Sequence, residues 1–302
     1  ALQWIFAIGG ALALQNSALH WSSDHRRQHR HVDDNQKDPY SAGRGFWYSH
    51  IGWMLREYQR EIYHDYSNVR DLQNNAIVAF QHRHYLALTL ATNIGIPLLL
   101  GLIHGDLLGM LLLAGVLRMV MTHHTTFFIN SLAHIWGSQP FTDRNSARDN
   151  GILAFFTFGE GYHNFHHLFE NDYRNGIRWW QFDPTKWLIR SASWCGLARD
   201  LRSCPEERIE QARLEMQLKR AQAKLRKRED RELWQALLQE EYDKLSQQLQ
   251  LYYASRKSLL EQRKRKALAR YDKLKLQLEY RNLHDGFVAS KRNWSRLLAG
   301  IA

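Results

Sequence analysis

The sequence predicts an all-α fold: an integral-membrane helical domain, a histidine-rich cap on its cytosolic side, and a long charged helical extension. Three observations carry that reading. Residues 85–103 run for 19 positions without a charge, about the length that crosses a hydrocarbon core. Fifteen of the 16 histidines fall before residue 205, several of them at helical spacings. Between Pro205 and Gly286 no glycine or proline interrupts 80 residues dominated by Glu, Gln, Lys, Arg, Leu and Ala, all strong helix formers.

Taken in chain order, residues 1–19 are uncharged, but Gly9, Gly10, Gln15 and Asn16 make them a poor membrane span. His25 and His29 follow at i, i+4, which places both imidazoles on one helix face. The apolar run at 85–103 ends at His104-Gly105-Asp106, and a second run continues from Leu107 to about Ile129. Arg118 interrupts that second run and is expected to snorkel or to face the protein interior. Two spans joined by three residues form a hairpin, over about 85–129, which returns the chain to the side it came from. His25 and His29 precede the hairpin, while His134 and the box Gly159-Glu160-Gly161-Tyr162-His163-Asn164-Phe165-His166-His167 follow it. All of them can therefore meet on one membrane face. Arg26, Arg27, Arg30, Arg144, Arg148 and Arg174 flank these histidines, and the positive-inside tendency makes that face cytoplasmic.

Within the box, His163, His166 and His167 stand at i, i+3 and i+4, close enough on a helix to share a metal site. Neutral imidazole is the commonest protein metal ligand. Cys195 and Cys204 are the only cysteines, which excludes a disulfide framework and a cysteine-based zinc site. No His-Pro-Gly-Gly haem signature occurs, so a fused cytochrome b5 is not expected.

The charge divides the chain. Residues 1–204 carry 18 Lys/Arg against 16 Asp/Glu, and residues 205–302 carry 23 against 14. The expected organisation is a domain at 1–202, a basic helical extension at 203–285 and a tail at 286–302. A continuous helix over 206–285 would be ~120 Å long at about 1.5 Å per residue. Leu238, Tyr242, Leu245, Leu249 and Tyr252 step by four and three, as do Ala267, Tyr271, Leu274 and Leu278. Arg256 and Arg263 interrupt the seam, so short coiled-coil or helical-hairpin stretches are expected, with possible self-association through them. The run Arg263-Lys264-Arg265-Lys266 lacks interleaved aromatics, so no nucleic-acid partner is expected. Membrane lipids are.

At these motifs the sequence resembles the membrane fatty-acid desaturases, and specifically the acyl-CoA (stearoyl-CoA-type) Δ9 branch in its bacterial form. The resemblance covers about residues 1–202. It rests on Asp24-His25-Arg26 with His29; on Arg44-Gly45-Phe46 and Ser49-His50-Ile51-Gly52-Trp53; on Asn130-Ser131 with His134; on the 159–167 box; and on Arg178-Trp179-Trp180 with Asp183-Pro184-Thr185-Lys186-Trp187. It implies two iron ions on the cytosolic side of a bacterial inner membrane, where O₂ and two electrons desaturate a long-chain acyl-CoA or acyl-lipid. The electrons would come from a separate donor, of ferredoxin or cytochrome b5 type. By resemblance His25, His29 and His166 serve one iron. His134, His163 and His167 serve the other, with Asn130 nearby through a water. Asn130 and His134 are i, i+4 on a helix continuing from the second span. Asp24 and Glu160 are candidate carboxylates for orienting imidazoles, with a plain surface role as the alternative.

Two departures from the family pattern stand out. A further H-x-x-x-x-H box and the first membrane hairpin have no counterpart in these residues, so this chain is expected to be impaired or inactive on its own. Gln28 stands where the family has a histidine ligand to the iron served by His134, and an amide is a poor iron ligand. Two other readings remain: hydroxylation by a similar di-iron membrane centre, and a non-enzymatic remnant whose helical extension is the working part. His20, His50, His64, His82, His84, His104, His123 and His124 are expected to be surface or packing residues.

Overall fold

The computed structural model describes residues 2–55, 60–226, 228–265 and 270–301. The described residues contain no β-strand, only isolated bridges pairing Ser138 with Asp149 and Asp149 with Tyr162. The chain divides into two compact units: 1–138 with 144–201, and 139–143 with 202–302.

In the first unit, α1 (Leu2–Ala13) is apolar but too short to span. The next helix, α2 (Ala18–Arg30), starts where the Ser17 side chain accepts from the His20 N–H. It stops where the His31 N–H turns back onto the carbonyls of Arg27 and Gln28. α3 (Ala76–Arg83) is capped by Asn75, whose side chain accepts from the N–H groups of Ile77 and Val78.

The expected hairpin is formed by α4 (Tyr85–His104) and α5 (Leu107–His134), of 20 and 28 residues with mean hydropathy 2.0 and 1.5. Each is long enough to cross about 30 Å of hydrocarbon. Leu99, Leu102, Ile103, Leu108 and Leu113 stand exposed along them, as lipid-facing side chains should. The turn works because Gly105 takes a left-handed conformation (φ +84°), which a Cβ would disfavour. Asp106 then caps the new helix through the Gly109 N–H at 2.8 Å.

Arg118 faces inward. Its guanidinium donates to the carbonyls of Ala114 (3.1 Å) and Leu12 (2.8 Å) and to Asn93 Oδ1 (2.5 Å). Asn93 and Gln81 also reach α1, donating to the carbonyls of Ala11 and Ala7. In a medium that offers no water, these bonds satisfy the charge within the protein. The α-helix of the second span ends at Asn130 and is followed by a 3-10 turn, Leu132–His134. The span thus reaches His134 as expected, but its last turn is 3-10 rather than α. The Ser131 hydroxyl caps the Phe127 carbonyl and bonds His50 Nδ1 at 3.0 Å, which fixes the break. Three short helices complete the unit: α6 (Gly151–Phe156), α7 (His163–Leu168) and α8 (Pro184–Trp194).

The second unit contains α9 (Glu206–Leu225), α10 (Arg231–Arg265) and α11 (Arg270–Ile301). Folding back into a bundle replaces a single long rod, because a lone helix of this composition has nothing against which to bury its leucines. Leu238, Leu245 and Leu249 are buried as the α10 seam requires, with Tyr242 and Tyr252 packed against them. The α11 seam is different. Leu274 and Leu278 are 53% and 58% exposed, and the buried residues are Phe287, Trp294 and Ile301, one heptad apart. Ala267, Lys266 and the side chains of Arg263, Lys264, Arg265 and Tyr271 lie outside the described residues. Gly286 does not end the helix, so no separate tail begins there. α10 and α11 run antiparallel, and a Cβ at position 286 would sit 3.1 Å from Gln248 Oε1 on α10. Glycine permits that close approach.

Candidate metal centre

Three elements deliver six imidazoles. α2 presents His25 and His29 from successive turns, with ring centroids 4.5 Å apart. The 3-10 turn after the second span presents His134. α7 presents His163 and His167 at i, i+4, and His166 between them. The ligand-capable atoms of His25, His29 and His166 lie within 4.8 Å of one another, as do those of His134, His163 and His167. The two groups adjoin through the stacked rings of His29 and His167, 4.4 Å apart. The i+3 histidine of the box therefore turns to one group while the i, i+4 pair serves the other.

Burial sets the charge state. It holds the His25 imidazole down to about 3 and those of His29 and His166 to about 4. Neighbouring imidazoles add to this at His25 and His29. Burial and the surrounding rings hold His163 and His167 well below the usual range. All five are neutral at pH 7, the form that donates a lone pair to a metal.

Six buried ring nitrogens of these two groups find no hydrogen-bond partner among the described residues: both of His29, His134 Nε2, His163 Nδ1, His166 Nε2 and His167 Nδ1. Leaving a buried polar atom unsatisfied costs about 1–3 kcal/mol. Six such atoms rival the net stability of a whole domain, about 5–15 kcal/mol. Two divalent metal ions would relieve that cost, so the donor set fits them. Imidazole suits iron, zinc and copper alike.

The tautomer of His134 follows from its neighbours. Asp33 accepts from the Ser146 hydroxyl at 2.6 Å and from the Ser146 N–H at 2.7 Å. The hydroxyl is thus spent as a donor and must accept from His134 Nδ1, 2.7 Å away. That leaves the Nε2 lone pair facing the group. Glu170 stands 3.5 Å from His29 Nδ1. These carboxylates take the place expected of Asp24 and Glu160. Asp24 instead pairs with His20 and Arg27 at 3.2 Å each. Glu160 is enclosed, bonded to Asn175 at 2.7 Å, and its carboxyl is pushed up to about 7 by burial.

Asn130 lines one cavity of about 730 Å³ together with His25, His163, His166 and Gln28. Leu14, Trp21, Tyr40, Trp53 and Phe127 supply apolar and aromatic wall to it. Gln28 is 2% exposed. Of the histidines that the sequence set aside, His20 bonds Tyr66, His50 bonds Ser131 and His124, His82 bonds Ser17, and His123 bonds the carbonyls of Ala13 and Leu14; His20 and His123 also line the cavity.

The first unit thus combines two adjoining three-imidazole groups, a largely apolar cavity and two helices long and apolar enough to cross a membrane. Residues 1–193 match the family model described as fatty acid desaturase, and the chain belongs to that family. A probable acyl-CoA desaturase of Schizosaccharomyces pombe is 48% identical over 211 residues, 69% of this chain and 43% of the relative. Acyl-CoA desaturase 1 of Saccharomyces cerevisiae is 45% identical over 224 residues, 74% of this chain and 44% of the relative. The sn-2 palmitoyl-lipid 9-desaturase of Nostoc is 36% identical over 211 residues, 68% of this chain and 71% of the relative. The chain thus spans less than half the length of the two yeast relatives. The expected placement in a bacterial inner membrane finds no support in the two yeast relatives.

Proposed function

We propose that the first unit is the metal-binding core of an O₂-dependent fatty acyl desaturase. The observation that carries it is the opening of both imidazole groups onto the same cavity, through His25 and His166 on one side and His163 on the other. Two irons held there supply the oxidising power that breaks two unactivated C–H bonds. The overall change joins a –CH₂–CH₂– unit, O₂, two electrons and two protons to give –CH=CH– and two waters. The chain's own contribution is to hold the irons, orient His134 through Ser146 and Asp33, and pack the acyl chain in a dry, aromatic-walled cavity.

The names of the yeast relatives point to an acyl-CoA substrate, and that of the Nostoc relative to the ninth carbon. A separate ferredoxin or cytochrome b5-type carrier supplies the electrons, and the metal face lies on the cytosolic side of the membrane. The test is metal stoichiometry in detergent. The purified chain should take up two equivalents of iron or cobalt, and His166→Ala and His134→Ala should each take up one. Uptake unaffected by either substitution would remove the basis for the reading.

A further inference from the structure

Between His134 and Ser146 the chain leaves the first unit and comes back. Residues 139–143 belong to the helical-extension unit, and α9 holds them there. Lys219 Nζ pairs with Asp143 at 2.5 Å. Arg220 donates to the Gln139 carbonyl at 2.6 Å. The Arg213 guanidinium lies 5.2 Å from the centroid of the Phe141 ring, and both Phe141 and Thr142 are buried.

At its base this loop is closed by residues that orient the second imidazole group. Ser138 and Asp149 exchange N–H to carbonyl bonds at 3.0 and 2.7 Å, and the Arg148 N–H donates to the Ala133 carbonyl at 2.7 Å. The Asp149 carboxylate accepts from the N–H groups of Asn164 and Phe165, at 2.8 and 3.1 Å. Those two amides lie in the first turn of α7, where a carboxylate is favoured. Ser146, three residues beyond Asp143, fixes the tautomer of His134.

From this we infer that α9 is a positioning element for the His134, His163 and His167 group. Arg213, Lys219 and Arg220 restrain residues 139–143, and the restraint passes along the chain to Ser146 and Asp149. No single contact suffices, since exposed ion pairs contribute little alone, but all three act on one five-residue loop. The effect is directional. His25 and His29 stand on α2, outside the segment that the loop closes. The inference rests on the metal reading above.

The test uses the full chain in detergent with cobalt(II) as the probe, on two backgrounds. His166→Ala reports the second group alone and His134→Ala the first alone. Combining Arg213→Ala, Lys219→Glu and Arg220→Ala should weaken cobalt binding about 10-fold in the first background, a change of the size expected for groups that orient ligands. It should leave the second background unchanged. Adding Asp143→Lys to Lys219→Glu should restore part of the loss, which a general weakening of the fold would not do. Amide exchange gives a readout that needs no metal: the N–H groups of Arg148 and Asp149 should exchange faster in the triple variant. Equal loss at both groups, or unchanged affinity and unchanged exchange, overturns the inference. If the unaltered chain binds no cobalt the metal reading fails, and exchange still decides whether α9 restrains the loop.

Discussion

The two units bury different chemistry at the same depth. In the first, Ser131, His163, Asn164 and Asp183 are at most 1% exposed. In the second, Leu225, Leu238, Leu245 and Leu249 are equally enclosed. A leucine core is satisfied by any close neighbour, so its burial stabilises without specifying chemistry. A polar core must have every donor and acceptor matched. The first unit matches most of them: the Asp183 carboxylate alone takes the N–H groups of Asn175, Gly176 and Lys186 at 2.8–2.9 Å. Of the buried polar atoms it leaves unmatched among the described residues, six are imidazole nitrogens of the two metal-site groups, the densest such cluster. Function is therefore visible where a well-satisfied polar interior has a localised deficit.

The comparison breaks most plainly if the imidazoles are ordinary core residues. His163→Ala removes one of three ligands from a buried group, and the metal equivalent held with His134 and His167 should be lost. Elemental analysis of the purified variant should fall from two metals to one. Retention of both would mean that the deficit has another explanation.

A leucine core should behave otherwise. Leu245→Ala opens a cavity in the bundle and is expected to cost about 2–5 kcal/mol, read as an earlier melting transition of the extension. At temperatures where the bundle stays folded, metal content should not change. A variant that loses metal while its bundle remains helical would erase the distinction between the units.

The next effect is smaller and tests orientation rather than ligation. Asp33→Ala removes the carboxylate that commits the Ser146 hydroxyl, so His134 can take either tautomer. Metal affinity at that group should drop roughly 10- to 100-fold, with the His25, His29 and His166 group unaffected. Asp33→Asn should lie between, since an amide oxygen still accepts. Titration with cobalt(II) separates the three proteins, and indistinguishable affinities would remove Asp33 from the account.

The contrast also explains what the sequence made legible. Spacing on a helix is local, so the pairing of His25 with His29 could be read directly, as could the His104-Gly105-Asp106 turn, whereas spacing alone put His163, His166 and His167 together and only the family resemblance separated His166 from the other two. Residues acting across the fold leave no such trace. Asp33 lies in a loop with φ +66° and meets Ser146 across 113 positions. No periodicity announces either. Asp24 drew attention beside His25, yet adjacency along a helix points a side chain about 100° away from its neighbour, and Glu160 lies in the turn ahead of α7. In the extension, the α10 heptads were legible because nothing competes with them. On α11 the true seam of Phe287, Trp294 and Ile301 lies beyond Gly286, where a glycine ordinarily argues for a boundary.

The smallest expected effect belongs to Gln28. The family resemblance places a ligand histidine there, serving the same metal as His134. In this fold Gln28 is buried and lines the same cavity as His25, a member of the other group. An imidazole at this position has two options, to stay in the wall on the His25 side or to turn toward the second metal. Turning would leave the buried space that glutamine now fills empty, and such cavities are costly. Gln28→His should therefore change cobalt(II) affinity at the His134, His163 and His167 group by less than about 10-fold. Gln28→Ala, which empties the wall on the His25 side, should instead weaken the His25, His29 and His166 group. Those opposite addresses make the pair of variants decisive. A rise well above 10-fold at the second group on Gln28→His would make position 28 a ligand position that this chain has lost. No change at the first group on Gln28→Ala would show that the amide does not support His25.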